Sequence, residues 1–119
     1  MAATLCVAYP PGSDIDLDYY LEKHIPWSLE LWEGDGSDGR KGSIIDWKVY
    51  TAAATSGDED DNNGPSYELL FTCTWASREA MEAAQSAVTP KQHKEAWEDV
   101  ANYSKKSPVV WIMEQKASS

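Results

Sequence analysis

His24 is the residue of this sequence best suited to chemistry, because an imidazole takes and returns a proton near neutrality. Tyr20 stands four positions before it, in residues 16–27, DLDYYLEKHIPW. On a helix that spacing places both side chains on one face, where the phenol can donate a hydrogen bond to a substrate oxygen that gains charge during reaction. Pro26 follows the histidine by two. It lacks the N–H that would bond the carbonyl of Glu22 and disfavours helical geometry at Ile25, so the helix should kink or restart at 24–26. The structural alternative is that His24 bonds the carbonyl freed by Pro26 and locks the kink. The sequence leaves both roles open. Tyr9, at the mouth of the first strand, is a candidate second hydroxyl facing a pocket or an ordinary strand-end tyrosine. Trp27, Trp97 and Trp111 are candidate apolar walls for an aromatic ligand that also read as core or interface packing. Asp99 and Asn102-Tyr103 can orient a ligand or simply end a helix. His93, among Lys91, Gln92 and Lys94, is expected in solvent. With no third ligand near either histidine, a metal or haem centre is not expected.

The elements that must position these residues follow from periodicity and punctuation. Residues 3–9 form a first strand, ended by Pro10-Pro11-Gly12. Asp16 is the N-cap of the helix carrying His24, with Ile15 as its apolar staple. Leu29 and Trp32 extend that helix to about Glu33, where the glycine-rich segment 34–39 stops it. Residues 42–53 alternate as a second strand with Ile45, Trp47, Val49 and Thr51 on one face. Residues 56–66 are an acidic, turn-rich surface loop. Asp58 to Asn63 invite a calcium reading, but the EF-hand glycine and glutamate are missing, and a solvated hairpin connection is the better account. Residues 67–75 are a third strand.

Ser77 caps a helix over 77–87 with a stripe of alanines. Thr89-Pro90-Lys91-Gln92 is a capping box with proline at the first helical position; it opens a helix to about Asn102 that turns Ala96, Trp97 and Val100 inward. Residues 108–115, apolar on both faces, are the fourth strand, and 116–119 an unstructured tail. The order βαββαβ predicts a single α+β domain over 1–119, ferredoxin-like, with a four-stranded antiparallel sheet and helices on one face. Because strands three and four are apolar on both sides, the uncovered face should pack against a second copy, sheet to sheet, as a homodimer.

With 119 residues there is room for one modest core. A net charge of −10 argues against nucleic acid and anionic membranes as partners. There is no basic, apolar leader and no apolar run of membrane-spanning length, so a cytoplasmic location is expected. Six Trp and six Tyr against one Phe make the aromatic set amphipathic, as pocket and interface linings are. Cys6 and Cys73 lie far apart without a CxxC motif and read as buried, reduced thiols rather than a zinc site or a cross-strand disulfide.

Tyr9-Pro10 followed by Gly12, then Asp16-x-Asp18-Tyr19-Tyr20-x-x-x-His24-x-Pro26, resembles the signature of the EthD family of dimeric α/β-barrel proteins. Trp32 falls where that family often has a tryptophan after the first helix. Residues 98–104, EDVANYS, and Pro108-Val109-Val110 resemble its closing aspartate–asparagine–aromatic stretch and last strand. The likeness covers nearly the whole chain. It departs at Ile15, where an aromatic is commoner, and at the acidic loop. It implies two ferredoxin-like protomers paired sheet to sheet as a dimeric α/β barrel, no metal, no bound cofactor, and a pocket between sheet and helices. The expected activity is that of a cofactor-independent lyase, a decarboxylase or dehydratase, acting on a small aromatic or polyketide-like compound of secondary metabolism. His24 would be base or acid and Tyr20 its partner, with Tyr9, Trp27, Trp97, Tyr103 and Trp111 around the substrate. A cyclase or isomerase of the same substrates, a non-catalytic ligand-binding dimer, and an oxygenase needing an activated carbanion are the alternatives.

Overall fold

The computed structural model of the chain describes residues 2–34, 43–52 and 67–117. The acidic loop, the calcium reading that rests on it, and the end of the tail lie outside the described residues. The architecture is the expected one, α+β and ferredoxin-like. β1 (Ala3–Tyr9) runs through the middle of the sheet, antiparallel to β3 (Leu69–Trp75) on one side and to β4 (Val109–Glu114) on the other. β2 (Ile44–Thr51) adds to the far side of β3, giving the order β2-β3-β1-β4. The strand period of two sends Ala3, Leu5 and Tyr9, with Leu69, Phe71, Cys73 and Trp75, to the helical side, where all are buried. One expectation for β2 is corrected. A register irregularity between Ile44 and Asp46 turns Ile44 toward the core and leaves Ile45 59% exposed, so Ile44 takes the inward place beside Trp47 and Val49.

The helical layer opens with α1 (Leu17–Tyr19), passes through a π-helical turn (Tyr20–His24) and continues as α2 (Ile25–Glu33). Asp16 caps it as expected, its carboxylate accepting the Tyr19 N–H. The kink foreseen at Pro26 is this π turn. The Ile25 N–H reaches back five residues to the Tyr20 carbonyl, just before the residue that has no N–H to give. Gly34 ends α2 with φ +68°. α3 (Arg78–Ser86) starts on the Ser77 cap, and α4 (Pro90–Asp99) on the complete Thr89/Gln92 capping box, before a 3₁₀ turn at Val100–Asn102.

The loop between β1 and α1 is tied to the segment after α4. The Asp16 N–H donates to the Tyr103 carbonyl (2.8 Å) and the Lys105 N–H to that of buried Ser13 (2.7 Å). Glu68 accepts from the Ile15 N–H (2.9 Å). Gly12 has φ +87°, a backbone conformation that L side chains rarely adopt, and a Cβ there would also displace the end of the Lys106 side chain, 2.9 Å away. These ties fix the start of α1 against the residues that follow α4, and the site is built where the two meet. Cys6 and Cys73 are free and buried on opposite faces of the sheet, which rules out a bond between them. Among the described residues no helix is long and apolar enough to cross a membrane.

Candidate functional site

A cavity of about 400 Å³ lies between the sheet and the helices. Its body is apolar, with Leu5, Val7, Phe71, Val88 and Val110 among its walls, and its polar end is formed by Tyr9, Tyr20, His24 and Tyr103. Sequence distance is bridged by the fold. His24 comes from the π turn, Tyr9 from the end of β1, and Tyr103 from just beyond the 3₁₀ turn.

His24 Nδ1 lies 2.7 Å from Asp99 Oδ2. The Tyr19 hydroxyl (2.7 Å) and the Asn102 amide (2.8 Å) donate to the other carboxylate oxygen. Burial alone would raise the Asp99 pKa, yet the donors Tyr19, Asn102 and His24 outweigh it and hold the carboxyl below its usual range. An ionised carboxylate only accepts, so Nδ1 carries the imidazole proton and Nε2 is the bare base. Burial pulls the His24 pKa below its ordinary value against the opposing pull of Asp99. The ring therefore rests neutral, as an acceptor. Nε2 points to the Tyr103 hydroxyl at 3.4 Å, long for a hydrogen bond, so its lone pair is available to a ligand proton.

The Tyr103 and Tyr9 hydroxyls are joined at 2.5 Å. Burial, then the neighbouring Tyr9 hydroxyl, drives the pKa values of Tyr20 and Tyr103 far up, and burial raises that of Tyr9 against its hydrogen bonding with Tyr103 and Tyr20. All three stay protonated, and because the Tyr9–Tyr103 bond uses one of their protons, a ligand oxygen meets only the protons that remain. An oxygen that gains charge beside them would meet fixed hydroxyl dipoles, and a base stands within the same cluster.

The expected site residues are distributed as follows. His24, Tyr20, Tyr9 and Tyr103 come together at the polar end. Tyr20 lies nearly parallel to the imidazole (centroids 5.6 Å apart, 13° between planes), and the phenol that bonds toward Nε2 is Tyr103. Trp97 stands at the cavity rim, half exposed rather than turned fully inward, its indole N–H donating to His93 Nε2 (3.1 Å). Trp27 meets the His24 ring edge-on at 6.1 Å and faces an outer cleft with Tyr19, Lys23, Glu95 and Asp99. Trp111 is not a pocket wall. Its pairing with Cys6 puts it on the face away from the helices, against Tyr67. The kink lock is also absent, since the hydrogen bonds of His24 go to Asp99 and Tyr103 and none to Glu22. Asp99 is the residue of the candidate site that sequence reasoning underweighted. Its signal was the i, i+3 and i, i+4 spacing to Asn102 and Tyr103, which sets all three near one helical face.

No protein-family model and no curated protein matches the sequence. Solved structures do. An EthD-like protein from Ralstonia eutropha is 22% identical, with 99% of this chain and 95% of that one covered and a TM-score of 0.70. An ethyl tert-butyl ether D (EthD) family protein from Bacillus halodurans is 16% identical over 97% and 98% of the two chains, TM-score 0.58. SnoaB, a cofactor-independent oxygenase from Streptomyces nogalater, is 8% identical over 98% and 94%, TM-score 0.54. The chain thus has the ferredoxin-like α+β fold in which EthD-like proteins are built. Among the described residues no group of three His, Cys, Asp or Glu is placed to hold a metal ion.

Proposed function

We propose that the protein is a cofactor-independent enzyme that moves a proton on a small aromatic or polyketide-like compound, with lyase chemistry as its outcome. The observation that carries this reading is His24 itself. Its Nδ1 is anchored by an ionised carboxylate, while its unprotonated Nε2 faces an apolar cavity beside three tyrosine hydroxyls. A neutral imidazole begins by taking a proton. In a dehydration it takes the C–H proton next to a carbonyl, the hydrogen-bonded Tyr103–Tyr9 pair donates its free proton to the enolate oxygen, and the β C–O bond breaks. The imidazolium then protonates the departing hydroxyl, which leaves as water. In a decarboxylation the proton of the carboxylic acid passes to Nε2 and returns to the carbon from which CO₂ departs. The same base would serve a cyclase or isomerase. SnoaB, a cofactor-independent oxygenase of the same fold at 8% identity, supports chemistry without a cofactor on this scaffold, though its reaction differs from the one proposed. The working unit in this reading is a homodimer, paired through the sheet face opposite the helices.

Exchange of deuterium from solvent into the carbon next to the carbonyl of a bicyclic aromatic ketone, followed by NMR, reads proton transfer directly. The wild-type protein should accelerate it. His24→Ala should bind the ketone and lose roughly 10²–10⁴ in rate. Binding without any exchange in the wild type would leave a ligand-binding dimer in place of an enzyme.

A further inference from the structure

We infer that the cavity takes an electroneutral ligand, an enolisable ketone or phenol without a carboxylate, phosphate or other anionic group. The inference rests on the cavity being a ligand pocket and narrows what that pocket accepts. Among the described residues no lysine or arginine lines it. The cations nearby are directed elsewhere. Lys106 donates to the Pro11 carbonyl, Lys105 pairs with Asp14, Lys94 with Glu98, and Lys23 stands in the outer cleft on the far side of His24. Among the described residues the one full charge at the polar end is negative: Asp99, 2.7 Å behind the imidazole. An anion brought to Tyr103 would lose its water, find no cation among the described residues and face that carboxylate through a single neutral ring.

A neutral ligand escapes all three costs. Its carbonyl or hydroxyl meets the hydroxyl cluster, its rings meet the apolar wall, and negative charge appears only while the proton rests on His24, when the imidazolium balances it. Of the two lyase outcomes, this favours loss of water over loss of CO₂. The carbon-bound proton goes to Nε2, the C–C double bond forms as the C–O bond breaks, and the hydroxyl departs with the imidazolium proton. Starting material, product and water are all uncharged.

The test compares probes of one shape and different charge on the full-length protein at pH 7.5 by calorimetry: 2-acetyl-1-naphthol, methyl 1-hydroxy-2-naphthoate and 1-hydroxy-2-naphthoate. The ketone and the ester should bind alike, and the carboxylate at least about tenfold more weakly. Gln85 lines the cavity, and Gln85→Lys, which places a cation on its wall, should raise the affinity for the carboxylate relative to that for the ketone by about tenfold. Carboxylate binding equal to or tighter than ketone binding, lost in Tyr103→Phe, would overturn the neutral-ligand inference and leave the pocket reading standing. If none of the probes binds, or binding is unchanged when Ala96→Trp fills the cavity, the pocket reading fails and the inference with it.

Discussion

Asp99 decides what His24 can do. Without a fixed acceptor the neutral ring would exchange its proton between nitrogens, and burial would leave either one bare. With Asp99 at Nδ1, Nε2 is the base in every molecule. Asp99→Asn should therefore fold with the cavity intact but cost activity within the roughly 10²–10⁴ that general acid–base catalysis contributes. Nitrogen NMR should show the His24 proton no longer confined to Nδ1. Unchanged rate with a changed tautomer would make Asp99 a packing residue only. The titration has a definite sign. The folded-state pKa of His24 lies below its unfolded value near 6.5, so the unfolded chain binds the proton first on acidification. This contribution to stability is complete above about pH 6.5 and is lost as the pH falls through the folded pKa. Asp99, also depressed, acts in the same sense at lower pH. Denaturation midpoints measured from pH 8 to 5 should fall for the wild type and fall less steeply for His24→Gln. Parallel curves would place the proton-sensitive group elsewhere.

At the scale of elements, most of the architecture was legible because its signals are local. Caps, glycine stops and strand alternation are written in adjacent residues, and Asp16, Ser77 and the Thr89/Gln92 box perform as their types predict. What was not legible is long-range or depends on a single inserted residue. The irregularity in β2 exchanges Ile44 for Ile45, and alternation alone cannot reveal where such a shift falls. The His24–Asp99 pair joins residues 75 apart, and no spacing rule reaches that far. Pro26 announced a break without saying that it would be a π turn. Two substitutions test these elements. Thr89→Ala removes a side-chain acceptor and the reciprocal capping box, and should cost about 1 kcal/mol in denaturant unfolding with activity per folded molecule unchanged. Pro26→Ala restores an N–H beside the Glu22 carbonyl and lets ordinary α-helix compete with the π turn. It should leave stability nearly constant while shifting the His24 ring resonances and lowering ligand affinity. Unchanged ring resonances would mean that packing, not Pro26, sets the turn.

For the whole molecule, the sheet surface is the feature still to be accounted for. The helices cover β1 and β3 and leave the edge strand β4 bare on both faces. Val109 and Met113 are 49% and 56% exposed on the outer face, and Val110 and Ile112 are 44% and 40% exposed on the inner one. Trp111 and Leu70, beside Tyr50 across the sheet, extend the outer patch over most of its width. Apolar area on this scale is costly to leave in water. An interface of ordinary size, about 1,600 Å² in all, supplies enough drive at roughly 25 cal/mol per Å² to outweigh association costs when its centre is well packed. A twofold pairing of these faces is therefore the expected state of the protein, and light scattering at micromolar concentration should give twice the chain mass. The double variant Val109→Lys with Met113→Lys places like charges on both sides of the twofold and should return the monomer mass. Both side chains point away from the cavity, so ligand affinity in that monomer separates two possibilities. Affinity retained would mean that each protomer holds a complete site. Affinity lost, with the monomer folded, would mean that the bare inner edge at Val110 and Ile112 needs its partner to close the pocket. A monomer mass for the wild type would end the pairing argument, and the exposed strand would then require another cover.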